Sequence, residues 1–142
     1  MTVQLRTPVL NVGIVTVDFD RMARFYAEFL GFERLPELVF PGSGTVHRFV
    51  AGSSVLRLMV PEQRPECDGA SGGFLSATGY RYMTLDVTDI EAAAREAAEY
   101  GGTVAFGPAA IRPDVKVAQL RDPDGNWIEL LGDSSQDGSG HD

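Results

Sequence analysis

The chain is written twice. A polar residue, an apolar run rich in β-branched side chains and an aspartate that opens a helix occur at residues 11–18 and recur at residues 82–89. Asn11 to Tyr82, Asp18 to Asp89 and Gly31 to Gly102 are each separated by 71 residues. Three landmarks at one spacing mark an internal duplication. At 142 residues the chain holds one domain's worth, or two small units fused into one.

Each copy reads as β-α-β-β-β. In the first, residues 8–17 alternate as a strand, with Val12 and Ile14 on one face and Asn11 and Gly13 on the other. Met22, Phe25, Tyr26 and Phe29 recur at i, i+3, i+4 and i+7, which predicts a helix over 20–30 stopped by Gly31. Strands over 32–40, 45–51 and 54–60 follow, broken by Pro41-Gly42-Ser43-Gly44 and Gly52-Ser53. In the second, a strand over 80–87 places Met83, Leu85 and Val87 on one face and Tyr80, Tyr82 and Thr84 on the other. Thr88-Asp89-Ile90-Glu91 has capping-box spacing ahead of an alanine-rich helix that runs through Tyr100 to Gly101-Gly102. Strands over 103–106, 115–121 and 126–131 complete it, with a loop over 107–114. The expected organisation is a first module at 1–60, a Pro/Gly-rich linker at 61–79, a second module at 80–132 and a disordered polar tail at 133–142. Together they form one structural domain.

Bulk properties remove whole classes of function. A formal net charge of −8, with no basic patch, opposes nucleic acids and anionic membranes, whose recognition needs the opposite field. No apolar run approaches the ~18 residues of a membrane span, and the N-terminus lacks the organisation of a signal peptide. The single cysteine, Cys67, excludes an internal disulfide and lies in a loop as an incidental thiol. A cytoplasmic protein is expected.

Residues 121–131, Arg-Asp-Pro-Asp-Gly-Asn-Trp-Ile-Glu-Leu-Leu, are a tight turn feeding a short strand. Trp127, Glu129 and Leu131 share one face of that strand, so a carboxylate sits between apolar neighbours and needs a partner. This hairpin, with the opening strand at residues 11–18 and the Phe25-Tyr26 to Leu30-Gly31-Phe32 helix, resembles the vicinal oxygen chelate superfamily of glyoxalases, extradiol dioxygenases and bleomycin-resistance proteins. The matches span roughly residues 7–132. The resemblance implies an α+β fold in which tandem βαβββ modules form a half-open, cup-shaped mixed β-sheet with helices outside. It also implies a homodimer, and it leaves the reaction open.

The family places metal ligands on the first and last strands of each module. Carried over by motif, those positions hold Asn11, Tyr82, Glu129 and either Arg57 or, one residue along, Leu58. A two-histidine, one-carboxylate site has no imidazole here; asparagine is a weak neutral donor and arginine repels a cation. The expectation is therefore no metal and no cofactor. An organic site takes its place: Glu129 as general acid or base, Tyr82 as donor to an oxyanion, and Arg57 as a fork for a substrate anion. Alternatively, Arg57 and Glu129 only satisfy one another. His47, in a strand where either it or Arg48 faces the cup, is a further catalytic candidate. Asn11, Trp127, Tyr80 and Thr84 are the expected substrate-binding residues. Phe40 and Phe106 serve as pocket lining or as core.

These residues suit a metal-independent enzyme that moves protons on a small organic molecule, of the isomerase, lyase, cyclase or hydrolase type. The alternative is a protein that sequesters a drug or metabolite, as the bleomycin-resistance branch does. A metal-dependent glyoxalase or dioxygenase is a third reading, which needs ligands from elsewhere. In each, the partner is a small molecule.

Overall fold

The computed structural model describes residues 2–134, and the chain divides into two compact units, Met1–Glu66 and Cys67–Asp142. The boundary falls inside the Pro/Gly-rich segment at 61–79. In the first unit, β1 (Val12–Val15), helix α1 (Phe19–Ala23), β2 (Glu33–Arg34), β3 (Leu38–Phe40), β4 (Gly44–Ala51) and β5 (Ser54–Pro61) follow in order. β1 runs parallel to β5, β5 antiparallel to β4, and β2 and β3 both pair with β4. The second unit comprises β6 (Tyr82–Asp86), helix α2 (Ile90–Glu96), β7 (Thr103–Arg112), β8 (Val115–Arg121) and β9 (Trp127–Asp133). Its sheet has the order β6-β9-β8-β7, with β6 parallel to β9. In both units the first strand lies beside the last, so the repeat in sequence is a repeat in topology. The fold class is α+β, with two open mixed sheets.

The apolar stripe of the first helix is buried as its spacing requires: Met22, Phe25 and Tyr26 are fully enclosed. The helix itself is shorter than the stripe. Past Ala23 it widens into a π-helical turn, Arg24–Phe29, in which the Leu30 N–H reaches the Phe25 carbonyl at 3.0 Å. Gly31 follows with φ 75°, a left-handed position that favours glycine. In the second unit, Leu120, Ile128 and Leu130 form the fully buried row beneath the α2 side of the sheet. Gly132 continues that row because a Cβ there would lie 2.8 Å from Ile90 Cβ on α2.

Several expected elements are redrawn. The strand over 8–17 pairs only across Val12–Val15. The strand over 32–40 is cut into β2 and β3 at Leu35-Pro36-Glu37, where proline cannot donate to the ladder. The aspartate that opens the second helix, Asp89, is the α2 cap, and its carboxylate accepts from the Ala92 N–H at 3.0 Å. The cap thus falls one residue after the Thr88 of the capping-box spacing. The loop expected over 107–114 is largely strand, because β7 continues to Arg112 through register shifts against β8. Gly107, at φ 80°, allows this, since a Cβ there would meet the Val117 carbonyl oxygen. β9 runs on through Asp133, and Ser134 hydrogen-bonds to the Pro113 carbonyl. The rest of the polar tail, from residue 135, lies outside the described residues. No helix among the described residues is long and apolar enough to cross a membrane.

Candidate functional site

Strand register decides which side chains of the second unit share a face. Tyr82 is opposite Trp127 and Thr84 opposite Glu129 across β6 and β9; Arg121 is opposite Trp127 and Gln119 opposite Glu129 across β9 and β8. Phe106 on β7 is opposite Gln119. Because successive residues point to opposite faces, all of these lie on the side away from α2. The face therefore carries two adjacent rows, Tyr82–Trp127–Arg121 and Thr84–Glu129–Gln119–Phe106.

The Glu129 carboxylate is half-buried, and its Oε1 accepts a hydrogen bond from the Thr84 hydroxyl at 2.9 Å. This is the partner that a carboxylate between Trp127 and Leu131 needs. Trp127 is buried, and Tyr82 keeps half of its surface exposed. Phe74, from the segment before β6, stacks on Tyr82 with ring centroids 4.4 Å apart and meets Trp127 edge-on at 5.4 Å. Arg81 holds that segment in place by donating to the Gly73 carbonyl at 2.6 Å. On the other strand neighbour, the Arg121 guanidinium lies over the Trp127 ring at 4.5 Å.

The first unit answers differently at equivalent places. Gly13 is opposite Arg57 as Thr84 is opposite Glu129. Arg57 thus takes the place of Glu129 and is exposed, whereas Leu58 is fully buried on the helix side. Arg48 is the β4 partner of Arg57 and donates twice to the Pro36 carbonyl, at 2.8 and 3.3 Å. Asn11 precedes β1, and its Oδ1 accepts from the Val55 N–H at 2.9 Å. The amide oxygen assigned to substrate is engaged in extending the ladder.

Two expected site residues stand elsewhere. His47 is opposite the buried Leu58, on the other face of β4 from Arg48 and Arg57. Its ring stacks on Phe19 of α1 at 3.9 Å, with Arg34 Nη2 at 3.3 Å and Glu37 Oε1 at 3.5 Å from Nδ1. Burial holds its pKa below the ordinary value; Glu37 pulls it up and Arg34 pushes it down. Tyr80 is fully exposed in the segment before β6 and does not share the ladder with Tyr82.

The side chains at the family's ligand positions do not fit a metal. Asn11 gives its oxygen to a backbone N–H, Arg57 brings positive charge, and Glu129 shares Oε1 with Thr84. Among the described residues, no group of three or more His, Cys, Asp or Glu side chains is placed to hold an ion.

Sequence reasoning passed over Arg121, Gln119 and Phe74. The first two had a signal: Val117, Gln119 and Arg121 alternate with the apolar Ala118 and Leu120 along β8. Phe74 had none, because a residue in a glycine-rich segment carries no period.

A family model described as the Glyoxalase/Bleomycin resistance protein/Dioxygenase superfamily matches residues 9–130. A search of functionally curated proteins finds no significant match. Among solved structures, the chain is similar to a glyoxalase family protein of Bacillus cereus, with a TM-score of 0.77 and 18% identity over 92% of this chain and 99% of that one. Glyoxalase I of Leishmania major matches with a TM-score of 0.66 and 23% identity, covering 89% of this chain and 87% of that one. An antibiotic binding protein from a Streptomyces species matches with a TM-score of 0.64 and 21% identity, covering 92% of this chain and all of that one. At these identities the likeness is one of fold.

Proposed function

The chain belongs to the glyoxalase/bleomycin resistance protein/dioxygenase superfamily, and we propose that it is a member that works on a small organic molecule without the metal. The observation that carries this reading is the Thr84–Glu129 pair beside half-exposed Tyr82 on one strand face. A threonine hydroxyl donating to Oε1 fixes the carboxylate's orientation and leaves Oε2 to a ligand. A carboxylate held in this way exchanges a proton with a bound substrate as general base and then general acid. Tyr82, one row away, supplies a phenolic O–H to oxygen charge that develops on the substrate. The reaction class that follows is proton-transfer chemistry of the isomerase or lyase kind.

A second reading has its own observation. Phe74, Tyr82 and the buried Trp127 form an aromatic cluster that leaves half of Tyr82 exposed, which suits stacking of a flat molecule on that ring. The likeness to an antibiotic binding protein supports such sequestration. Turnover separates the two readings: loss of activity in Glu129→Gln with retained ligand affinity supports the enzyme, and a wild-type protein that binds without turnover supports the binder. Elemental analysis tests metal independence; near one equivalent of Fe, Zn, Ni or Mn, lost in Glu129→Ala, overturns it. A homodimer belongs to the same reading, supported by Leu38, Val39 and Phe40 standing exposed on edge strand β3. Light scattering tests it.

A further inference from the structure

We propose that the face of β6, β9 and β8 takes a planar aromatic monocarboxylate, with Arg121 binding its carboxylate and Tyr82 carrying its ring. The proposal rests on the small-molecule reading above and names the class of molecule. The Arg121 guanidinium carbon lies 4.5 Å from the centroid of the Trp127 ring, and its Nε is buried without a hydrogen-bond partner among the described residues. An N–H donor taken out of water costs free energy until an acceptor meets it, and the guanidinium as a whole is only half-buried. The indole face holds the fork in place, so an incoming carboxylate meets donors that have already lost their freedom.

The remainder of the site follows from register. Trp127 is the strand partner of both Arg121 and Tyr82, so cation and ring platform lie in one row across three strands. At about 4.8 Å between strands, that row spans roughly 10 Å, the length of a two-ring aromatic acid. Phe74 backs one face of the Tyr82 ring and leaves half of Tyr82 exposed to a ligand. The next row presents Glu129, two residues along β9, within reach of a substituent on that ring. The chain's net charge of −8 selects further. It disfavours di- and trianions such as phosphates, leaving a single carboxylate matched to a single guanidinium.

The test compares 2-naphthoate with 2-naphthamide, which share a shape and differ in charge, by calorimetry on the full chain. Trp127 is the only tryptophan, so its one indole N–H resonance reports whether either compound occupies this face. Naphthoate is expected to bind with saturation, to shift that resonance, and to exceed naphthamide in affinity by about tenfold, the worth of one charge-assisted contact. Arg121→Gln should abolish the difference between acid and amide, and Arg121→Lys should restore part of it. Equal binding of the two compounds by the wild type, no binding of naphthoate at millimolar concentration, or an unmoved Trp127 resonance overturns the proposal. The ligand class and the proton-transfer reading therefore fail separately: the first through Arg121 and affinity, the second through Glu129 and turnover.

Discussion

Thr84 and Glu129 sit directly opposite one another on parallel strands β6 and β9, and the hydroxyl donates to Oε1 at 2.9 Å. In the first unit the same place in the ladder holds Gly13 opposite Arg57. The duplicated scaffold thus presents an oriented carboxylate in one copy and an exposed cation in the other. On the helix side both units keep fully buried apolar residues, Leu58 in the first and Leu120, Ile128 and Leu130 in the second. Each has a polar exception there: His47 stacked on Phe19, and Lys116 paired with Glu91.

If the carboxylate transfers a proton, Glu129→Gln should keep its Tm and lose about 10²–10⁴ in turnover, the usual worth of a positioned acid or base. Thr84→Val removes the hydroxyl but keeps the shape, and should cost about five- to tenfold in rate with little change in affinity. Tyr82→Phe should lower the rate while preserving the ring platform. The comparison needs turnover and melting on the same variants. Undiminished turnover in Glu129→Gln would leave Glu129 a structural carboxylate.

The turn that delivers β9 is a second point of sensitivity. The buried Asp122 carboxylate accepts from the N–H groups of Asp124 and Asn126, each at 2.9 Å, and from Asn126 Nδ2 at 2.9 Å. Asp122→Ala strands these donors and should cost about 2–3 kcal/mol, a fall in Tm of roughly 5–12 °C for a chain of this size. Trp127 follows immediately, so its emission should shift to the red in the native state of the variant. A Tm within one or two degrees of the wild type would show that water replaces the carboxylate at no cost.

Close packing of helix on sheet is tested at Gly132. A methyl group there would lie 2.8 Å from Ile90 Cβ and 2.9 Å from Cγ2. Neither atom is the flexible end of a side chain. Gly132→Ala should destabilise by about 1–3 kcal/mol through overpacking; because Ile90→Ala removes the Cγ2 contact, the double variant should lose less than the sum of the two single losses. Additive losses in a denaturation cycle would mean that the two residues do not meet.

The helix-side rows were legible in the sequence because burial imposes a period, and Met22, Phe25 and Tyr26 could be read from spacing alone. Glu129 was legible because its hairpin carries turn chemistry. What failed depended on facts that spacing does not encode. Pro36 split a strand whose apolar pattern was continuous, and register shifts around Gly107 carried β7 through an apparent loop. Alternation left open whether His47 or Arg48 faces outward; the register of His47 with buried Leu58 and its packing on Phe19 decide for Arg48. Asn11 looked like a ligand by position, yet a backbone N–H in the neighbouring strand claims its oxygen.

The last prediction concerns that histidine. His47 stacks on Phe19 within the first unit, and burial lowers its pKa, against a pull from Glu37 and with a push from Arg34. The folded protein therefore prefers the neutral ring more than the unfolded chain does. By linkage, its contribution to stability is whole above the ordinary value of 6.5 and is lost as pH falls through the lowered value in the folded state. Wild-type Tm should drop from about pH 6.5 downward more steeply than that of His47→Gln, which has no such proton to take up. At about pH 7.5 the variant should be the less stable of the two, having given up the ring stacking on Phe19. The gap should narrow as pH falls towards about 5, because only the wild type must then charge a partly buried ring beside Arg34. Thermal melts of the two proteins across that range give the answer directly. Parallel curves would mean that Glu37 cancels the effect of burial, and a gap that widens in acid that it outweighs burial and holds the ring charged.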